Sequence, residues 1–496
     1  MKLNQIFLIL LPILVSLHGM PVLAADDTAS ASQLSEIFSR ARIKGLLRYS
    51  GQYRDSSLHL LQDSATPNLS DEKTQQYSAL GGYLGFETAP WMSASAGLTV
   101  YTSQPAGNNP DDRRGLGGLY EEDGGQDAYT VLGEAFVKYR SGNHLFKSGR
   151  QELADYRFVA LSNIRMTPIT HQATIYENRS IDGLRLNFAF INKQKERNAE
   201  KFIGMVRAAR VATGCGAVNE NGECESPGSR KLIRGDFDAN DYNAQGEYSG
   251  ARKSMPMFGA VYSTGAVNVE VWDYYVHDFV NMFYLYGQYD FTSPWADYGI
   301  TLAAQYAVQK DVGEHVAGAI DTWFYGLKFQ LNGPGLSFFA AYNEVDYNEE
   351  SYDGGTIFVR WGTPQMFNSF QVQDSELAGT RSYGTGIQYD FGQQGLLPGV
   401  VMRVRFAHYD LPNRLSQADA RQDRSEATFD LRYSFSWKSG FGIFTEMDGL
   451  SIQFRLAYND YETDYDYAAF QAQYGYEFSS VTDDFIDARI YLDYQF

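Results

Sequence analysis

From Phe485 to Phe496 apolar and polar residues alternate without a break. Ile486, Ala488, Ile490, Leu492, Tyr494 and Phe496 take one face; Asp487, Arg489, Asp493 and Gln495 take the other, with the amphipathic Tyr491 among them. Successive side chains of a strand point to opposite sides, so this segment is a ribbon with one greasy and one wet face. Its length suits a tilted crossing of a bilayer, for which about 10 residues suffice. The same period marks 450–461, where Leu450, Ile452, Phe454, Leu456 and Tyr458 oppose Ser451, Gln453, Arg455 and Asn459. It marks 425–437 as well, with Ala427, Phe429, Leu431, Tyr433 and Phe435 opposing Glu426, Thr428, Asp430, Arg432 and Ser434. Such ribbons build either a soluble β-sandwich or the wall of a membrane barrel.

The spacers decide between them. Period-2 segments are read at 43–53, 77–87, 94–102, 128–140, 143–150, 171–177 and 181–191, and then at 255–263, 266–276, 279–291 and 297–308. Further segments follow at 319–331, 335–345, 382–391 and 400–410, before the three ribbons above. Short connections carry turn residues, as in Arg140-Ser141-Gly142-Asn143, Asn178-Arg179-Ser180, Ser263-Thr264-Gly265, Asn332-Gly333-Pro334-Gly335 and Leu397-Pro398-Gly399. They alternate with long polar stretches such as 54–76, 151–170, 192–254 and 346–381. Short turns on one side and long loops on the other are what a barrel inserted from the periplasm shows. A sandwich has no reason to segregate its loops by length. The fold class expected is all-β: a transmembrane antiparallel β-barrel of about 18 strands, with short periplasmic turns and long extracellular loops. Only 438–449 is long for a periplasmic turn.

The beginning of the chain agrees. Lys2, the apolar run Ile6 to Val15 and the small-residue site Val22-Leu23-Ala24 make 1–24 a secretory signal peptide. Residues 25–42 are then a short periplasmic segment, with room for one short helix around Gln33 to Arg42, and 43–496 the barrel. No later segment approaches about 20 consecutive apolar residues, so strands alone must do the crossing. Aromatic residues make up 15% of the chain, yet the mean hydropathy is −0.36. Interfacial girdles around a polar lumen account for both values. The formal charge is −19, or −20 once Lys2 leaves with the signal peptide, which argues against nucleic-acid binding. The acids crowd into expected loops, as at Asp111-Asp112, Glu121-Glu122-Asp123 and Glu349-Glu350, where they face water or divalent cations at a lipopolysaccharide surface.

The inward faces carry candidate chemistry. Arg403 and Arg405 lie on one strand, Arg432, Arg455 and Arg489 on those that follow, and closure brings Lys44 and Arg48 beside Arg489. Together they make a basic stripe, with Arg185 and Lys328 pointing inward elsewhere. Guanidinium groups bind carboxylates bidentately, so a row of them offers successive weak sites to an anion. The inward acids Glu134, Glu270, Glu426, Asp430 and Asp487 form either an opposing or an interleaved set, and pairing with them is the structural alternative for the arginines. Cys215 and Cys224, in a stretch with no nearby His, suit a loop-stapling disulfide in an oxidising periplasm better than a metal site.

Three stretches, Gly149-Arg150-Gln151-Glu152-Leu153, Ser162-Asn163-Ile164-Arg165-Met166-Thr167-Pro168 and Ser180-Ile181-Asp182-Gly183-Leu184, resemble the porin D (OprD-like) family of substrate-specific channels. Asp448-Gly449-Leu450-Ser451 and the terminal Phe496 also look like that family, and the likeness is strongest over 143–191. The resemblance implies an 18-stranded barrel, a monomer with a trimer as the alternative, whose third long loop, about 151–170, folds inward with Arg165 at the constriction. It implies a ladder of basic residues guiding carboxylate-bearing solutes, and no cofactor. Ile169-Thr170-His171-Gln172 departs from the family's usual Phe-Gly-type ending. Phe496 resembles the terminal aromatic read by the barrel-assembly machinery. The expected partners are small solutes, outer-membrane lipid and lipopolysaccharide.

Other classes fit less well. A barrel hydrolase needs a His set beside a Ser or Asp, and His59, His144, His171, His277, His315 and His408 are scattered. A plugged, energy-coupled transporter would begin with a plug domain, but strands start near residue 43. A structural or adhesive barrel is the remaining alternative.

Overall fold

The computed structural model describes residues 33–60, 68–107, 118–119, 127–162, 164–209, 212–215, 227–232, 254–292, 298–313, 315, 318–359, 361–363, 365–411, 423–435, 449–462, 480–482 and 484–496. A short helix, α1 (Leu34–Ser39), precedes the walls. The first seven wall strands are β1 (Arg42–Leu60), β2 (Asn68–Glu87), β3 (Ala94–Pro105), β4 (Tyr129–Ser141), β5 (His144–Gln151), β6 (Thr170–Ile181) and β7 (Leu184–Lys195). The next connection holds β8 (Phe202–Gly204), α2 (Met205–Ala208), β9 (Ala212–Cys215) and β10 (Pro227–Leu232). The wall resumes with β11 (Met255–Thr264), β12 (Val267–Val276), β13 (Val280–Thr292), β14 (Gly299–Asp311), β15 (Asp321–Gly333) and β16 (Leu336–Val345). It is completed by β17 (Arg381–Asp390), β18 (Val400–Asp410), β19 (Arg424–Ser434), β20 (Leu450–Tyr461) and β22 (Phe485–Gln495), with β21 (Ser480–Thr482) edging the top of β1.

Every wall strand pairs antiparallel with its neighbours, and β22 pairs with both β20 and β1. The ring therefore closes with 18 strands. Closure leaves no edge and satisfies each strand's backbone groups within the wall, the condition for crossing hydrocarbon. In β22, Ile486, Ile490 and Leu492 are 44%, 43% and 41% exposed, while Asp487, Arg489 and Tyr491 are buried. Apolar outside and polar inside inverts a soluble fold and matches a wall set in lipid.

The structure moves two boundaries. Residues 54–76, read as a loop, belong mostly to strands: the β1–β2 ladder runs through Arg54↔Gln75 and Ser56↔Lys73 to Leu58↔Asp71. Arg54 to Ser57 and Ser70 to Gln76 are polar at every position, so no alternation marks them, but a ladder of backbone bonds needs none. The turn expected at 178–180 lies instead at Asp182-Gly183, where Ile181 pairs with Leu184 across a bulge. Gly183 supplies the positive φ (72°) that this tight turn requires. The long/short alternation also has an exception, since only 277–279 joins β12 to β13 on the long-loop side.

The lumen contains a packed core of its own. Residues 152–169, 346–380 and α2 bury Phe158, Val159, Met205, Val359 and Trp361 against inward Trp272, Tyr274, Met282, Tyr284 and Phe324. The inner faces of β11 to β15 are thus apolar where these loops dock and wet only elsewhere. Part of the aromatic excess assigned above to girdles lies here: Phe158 sits edge-to-face on Tyr274, Tyr284 and Phe324 at 5.0–6.3 Å.

Candidate functional site

Among the described residues, the expected infolded loop shares the lumen with a second loop, 346–380, and with α2 of the β7–β11 connection. The expected infolded loop, 152–169, crosses from one wall to the other. Near its start, Tyr274 Oη donates to the Tyr156 carbonyl (3.0 Å) and Tyr156 Oη donates to Glu177 (2.9 Å). Near its end, Arg48 donates to the Arg165 carbonyl (2.6 Å), Arg165 donates to Gln52 Oε1 (2.9 Å) and Tyr491 donates to the Ile164 carbonyl (3.1 Å). Burial, then Arg489 and Arg197, pull the Arg165 guanidinium down from its ordinary value.

The second loop, 346–380, is held by wall carboxylates. Glu426, fully buried, accepts from the backbone N–H of Gln371, Val372 and Gln373 at 2.8–3.3 Å. Gln371 donates to Asp487 (2.8 Å), and Arg489 donates to the Gln371 carbonyl (3.2 Å). The two loops touch at Gly362, where a Cβ would strike the backbone of Phe158 and Ala160. Trp361 Nε1 donates to the Met205 carbonyl (3.0 Å), tying this loop to α2.

Against this frame the expected pathway residues divide. Arg403, Asp430, Arg455, Arg489 and Gln52 are successive cross-strand partners, so part of the anticipated stripe is one continuous row. The acids interleave with the cations rather than facing them. Lys44 pairs with Glu134 (2.7 Å), Arg48 with Asp493 (2.6 Å), Arg455 with Asp430 (3.2 Å) and Arg489 with Asp487 (2.5 Å). Arg54 joins Asp487 as well (2.8 Å), and Arg185 lies 3.5 Å from Asp155. Lys328, Arg403, Arg405 and Arg432 have no ion-pair partner among the described residues. Arg403 donates to Gln388 (2.6 Å), Arg405 donates to Thr428 (3.3 Å) and lies over Phe370 (4.4 Å), and Lys328 lies over Phe339 (5.3 Å).

Arg54 and four further residues carry no signal in the sequence pattern. Lys147 faces inward over Phe136 (3.8 Å), but its strand has Leu145 and Gly149 on the same face, so the alternation that would reveal it is blurred. Arg157, in the first infolded loop, bonds Glu270 of β12. Phe339 and Phe370 flank the free cations, and no local signal marks either. The expected disulfide falls partly outside the described residues, which include Cys215 but not Cys224. Of the histidines, His171 is fully enclosed and bonds Gln194 and the Trp361 carbonyl, a packing role.

A closed 18-strand barrel, greasy outside and narrowed by infolded loops, defines the class: an outer-membrane channel. A family model described as outer membrane porin, OprD family, matches residues 229–478, half of the chain, and the chain belongs to that family. Its place is therefore the outer membrane of a Gram-negative bacterium. The matched span lies outside 143–191, where the motif resemblance is strongest. Among solved structures the chain is similar to Pseudomonas aeruginosa OccK9 (OpdG), with a TM-score of 0.65 at 18% identity, covering 91% of this chain and 98% of that one. P. aeruginosa OpdQ gives 0.64 at 16% identity over 93% and 99%. P. aeruginosa OpdK, solved with vanillate, gives 0.62 at 17% identity over 92% and 98%. No curated protein sequence matches the chain significantly. Family and fold are those of channels, proteins that pass small solutes.

Proposed function

We propose that this porin carries small carboxylate-bearing solutes by passive, selective diffusion, using its free lumen cations as the pathway. The observation behind this reading is the division of the basic residues. Lys44, Arg48, Arg455 and Arg489 are neutralised by acids, whereas Lys328, Arg403, Arg405 and Arg432 form no ion pair among the described residues, Arg403 and Arg405 donating to the neutral Gln388 and Thr428 instead. Three of the four free cations sit on the adjacent strands β18 and β19, so a carboxylate released by one meets the next. Each offers charge-assisted bonds strong enough to capture an anion and weak enough to let it go. Phe339 and Phe370 beside them suit a solute with a flat apolar body, in keeping with the vanillate bound to OpdK.

Liposome swelling tests this. Protein-containing vesicles should swell faster in a small monocarboxylate than in its primary amide of equal size. Equal rates would remove carboxylate selection, and a silent planar bilayer with folded protein would remove the channel reading. Cleavage after Ala24 on export belongs to the same proposal, and N-terminal sequencing of the membrane-inserted protein checks it.

A further inference from the structure

The first infolded loop crosses the lumen as a bar. One end meets β12 and β13; the other meets β1 and β22, roughly half the ring away. At the end near β12 one arginine of the loop reaches the wall, beside the Tyr274 bond to the Tyr156 carbonyl. Arg157 opens the 3-10 turn Arg157–Val159 with φ at 51°, a left-handed value that an L side chain rarely adopts. Its guanidinium forks onto Glu270, Nε to Oε2 at 2.6 Å and Nη2 to Oε1, while its plane covers the Tyr286 ring at 3.9 Å. Glu270 is held ready: Trp272 Nε1 donates to Oε2 (2.9 Å) and Asn268 Nδ2 donates to Oε1 (3.0 Å). The next residue, Phe158, is fully buried among three rings.

We propose that Arg157 is the positioning residue of this channel: its fork onto Glu270 holds the bar in place and so sets the bore through which solutes pass. A strained turn persists only where its surroundings over-determine it; Arg157 itself is held by one ion pair and one aromatic face, and Tyr274 bonds the residues on either side of it. Phe158 packs regardless of charge, so the ion pair fixes the direction in which the turn points rather than whether the loop enters. A fork requires a planar guanidinium, so lysine cannot replace it. The proposal rests on the channel reading above and adds the element that sizes the opening.

The test is single-channel recording of wild type, Arg157→Gln, Glu270→Gln and the double variant, each checked first for the heat-modifiable gel migration of a closed barrel. Glu270→Gln is nearly isosteric and leaves the ring's backbone pairing untouched. Losing a charge-assisted fork should raise the population of the displaced loop about 10-fold or more, seen as frequent conductance steps above the wild-type level. Vesicle swelling should lose its discrimination between small and large solutes of the same charge. The double variant should behave like either single variant, because both remove one interaction. Quiet single variants with wild-type conductance, or effects that add in the double variant, would overturn the proposal. Arg157→Lys should resemble Arg157→Gln, and full function in the lysine variant would also overturn it. A wild-type protein with no conductance would count against the channel reading instead.

Discussion

Replacing Arg403 and Arg405 together with Gln removes two positive charges that form no ion pair among the described residues, and the effect on permeation can be sized. At about 10 Å, unit charges interact by roughly 1.7 kcal/mol for an effective dielectric near 20. Salt at about 0.1 M has a Debye length near 10 Å and leaves roughly 0.6 kcal/mol. That is about 3-fold in anion occupancy for each charge and about 8-fold for two. The matched control is Arg455→Gln with Asp430→Asn, which also alters two wall residues but removes a 3.2 Å ion pair of zero net charge. Reversal potentials across a KCl gradient read the outcome. The Arg403/Arg405 variant should lose anion preference by roughly that factor, and the paired control should stay within about 2-fold of wild type. The reasoning fails if the control shifts as far as the test variant, or if the Arg403/Arg405 variant keeps the wild-type potential.

Three other outcomes follow from the packing. Glu426→Ala removes the acceptor for three backbone donors of the second infolded loop, a local cost of about 1–3 kcal/mol for each donor left buried without a partner. Added protease should then cut near 371–373 at least about 10-fold faster in whole cells, and unchanged cleavage would show that the loop stays docked by other means. Trp361→Ala empties a fully buried site between this loop and α2 and should cost about 3–5 kcal/mol of loop docking. The melting temperature of the barrel should hardly move while open-channel noise rises; a lower barrel melting temperature would mean that loops and wall unfold as one. At Gly45 the Phe496 ring occupies the space a side chain would take. Gly45→Leu should reduce assembled protein in outer-membrane fractions, and adding Phe496→Ala should not lower it further, because the two changes disturb one contact.

How much of this was legible along the chain depended on distance. Alternation at 425–437, 450–461 and 485–496 placed Arg432, Arg455 and Arg489 on the wet face, because the period of 2 is a local property of each strand. The alternation of loop lengths gave the orientation for the same reason. The turn at Asp182-Gly183 was missed because Ile181, which closes β6, also fits as the first apolar residue of the following strand, and the extension of β1 past Tyr53 because a polar ladder has no period. The inner faces of β11 to β15 misled differently: Trp272, Tyr284 and Phe324 are apolar residues pointing into a lumen, and they read as polar-in strands only if nothing docks there.

The sequence by itself therefore determined where this protein lives, how its wall is built and on which side the charges of its cleanly alternating strands lie. All three follow from side-chain direction within single strands and from the need to satisfy backbone groups in lipid. Only the tertiary structure decided which of those charges are free. That choice depends on partners far apart in the chain, 445 residues for Arg48 with Asp493 and 113 for Arg157 with Glu270. It also depends on a second loop whose anchors, Glu426 and Asp487, look from their own strands like any other inward acids.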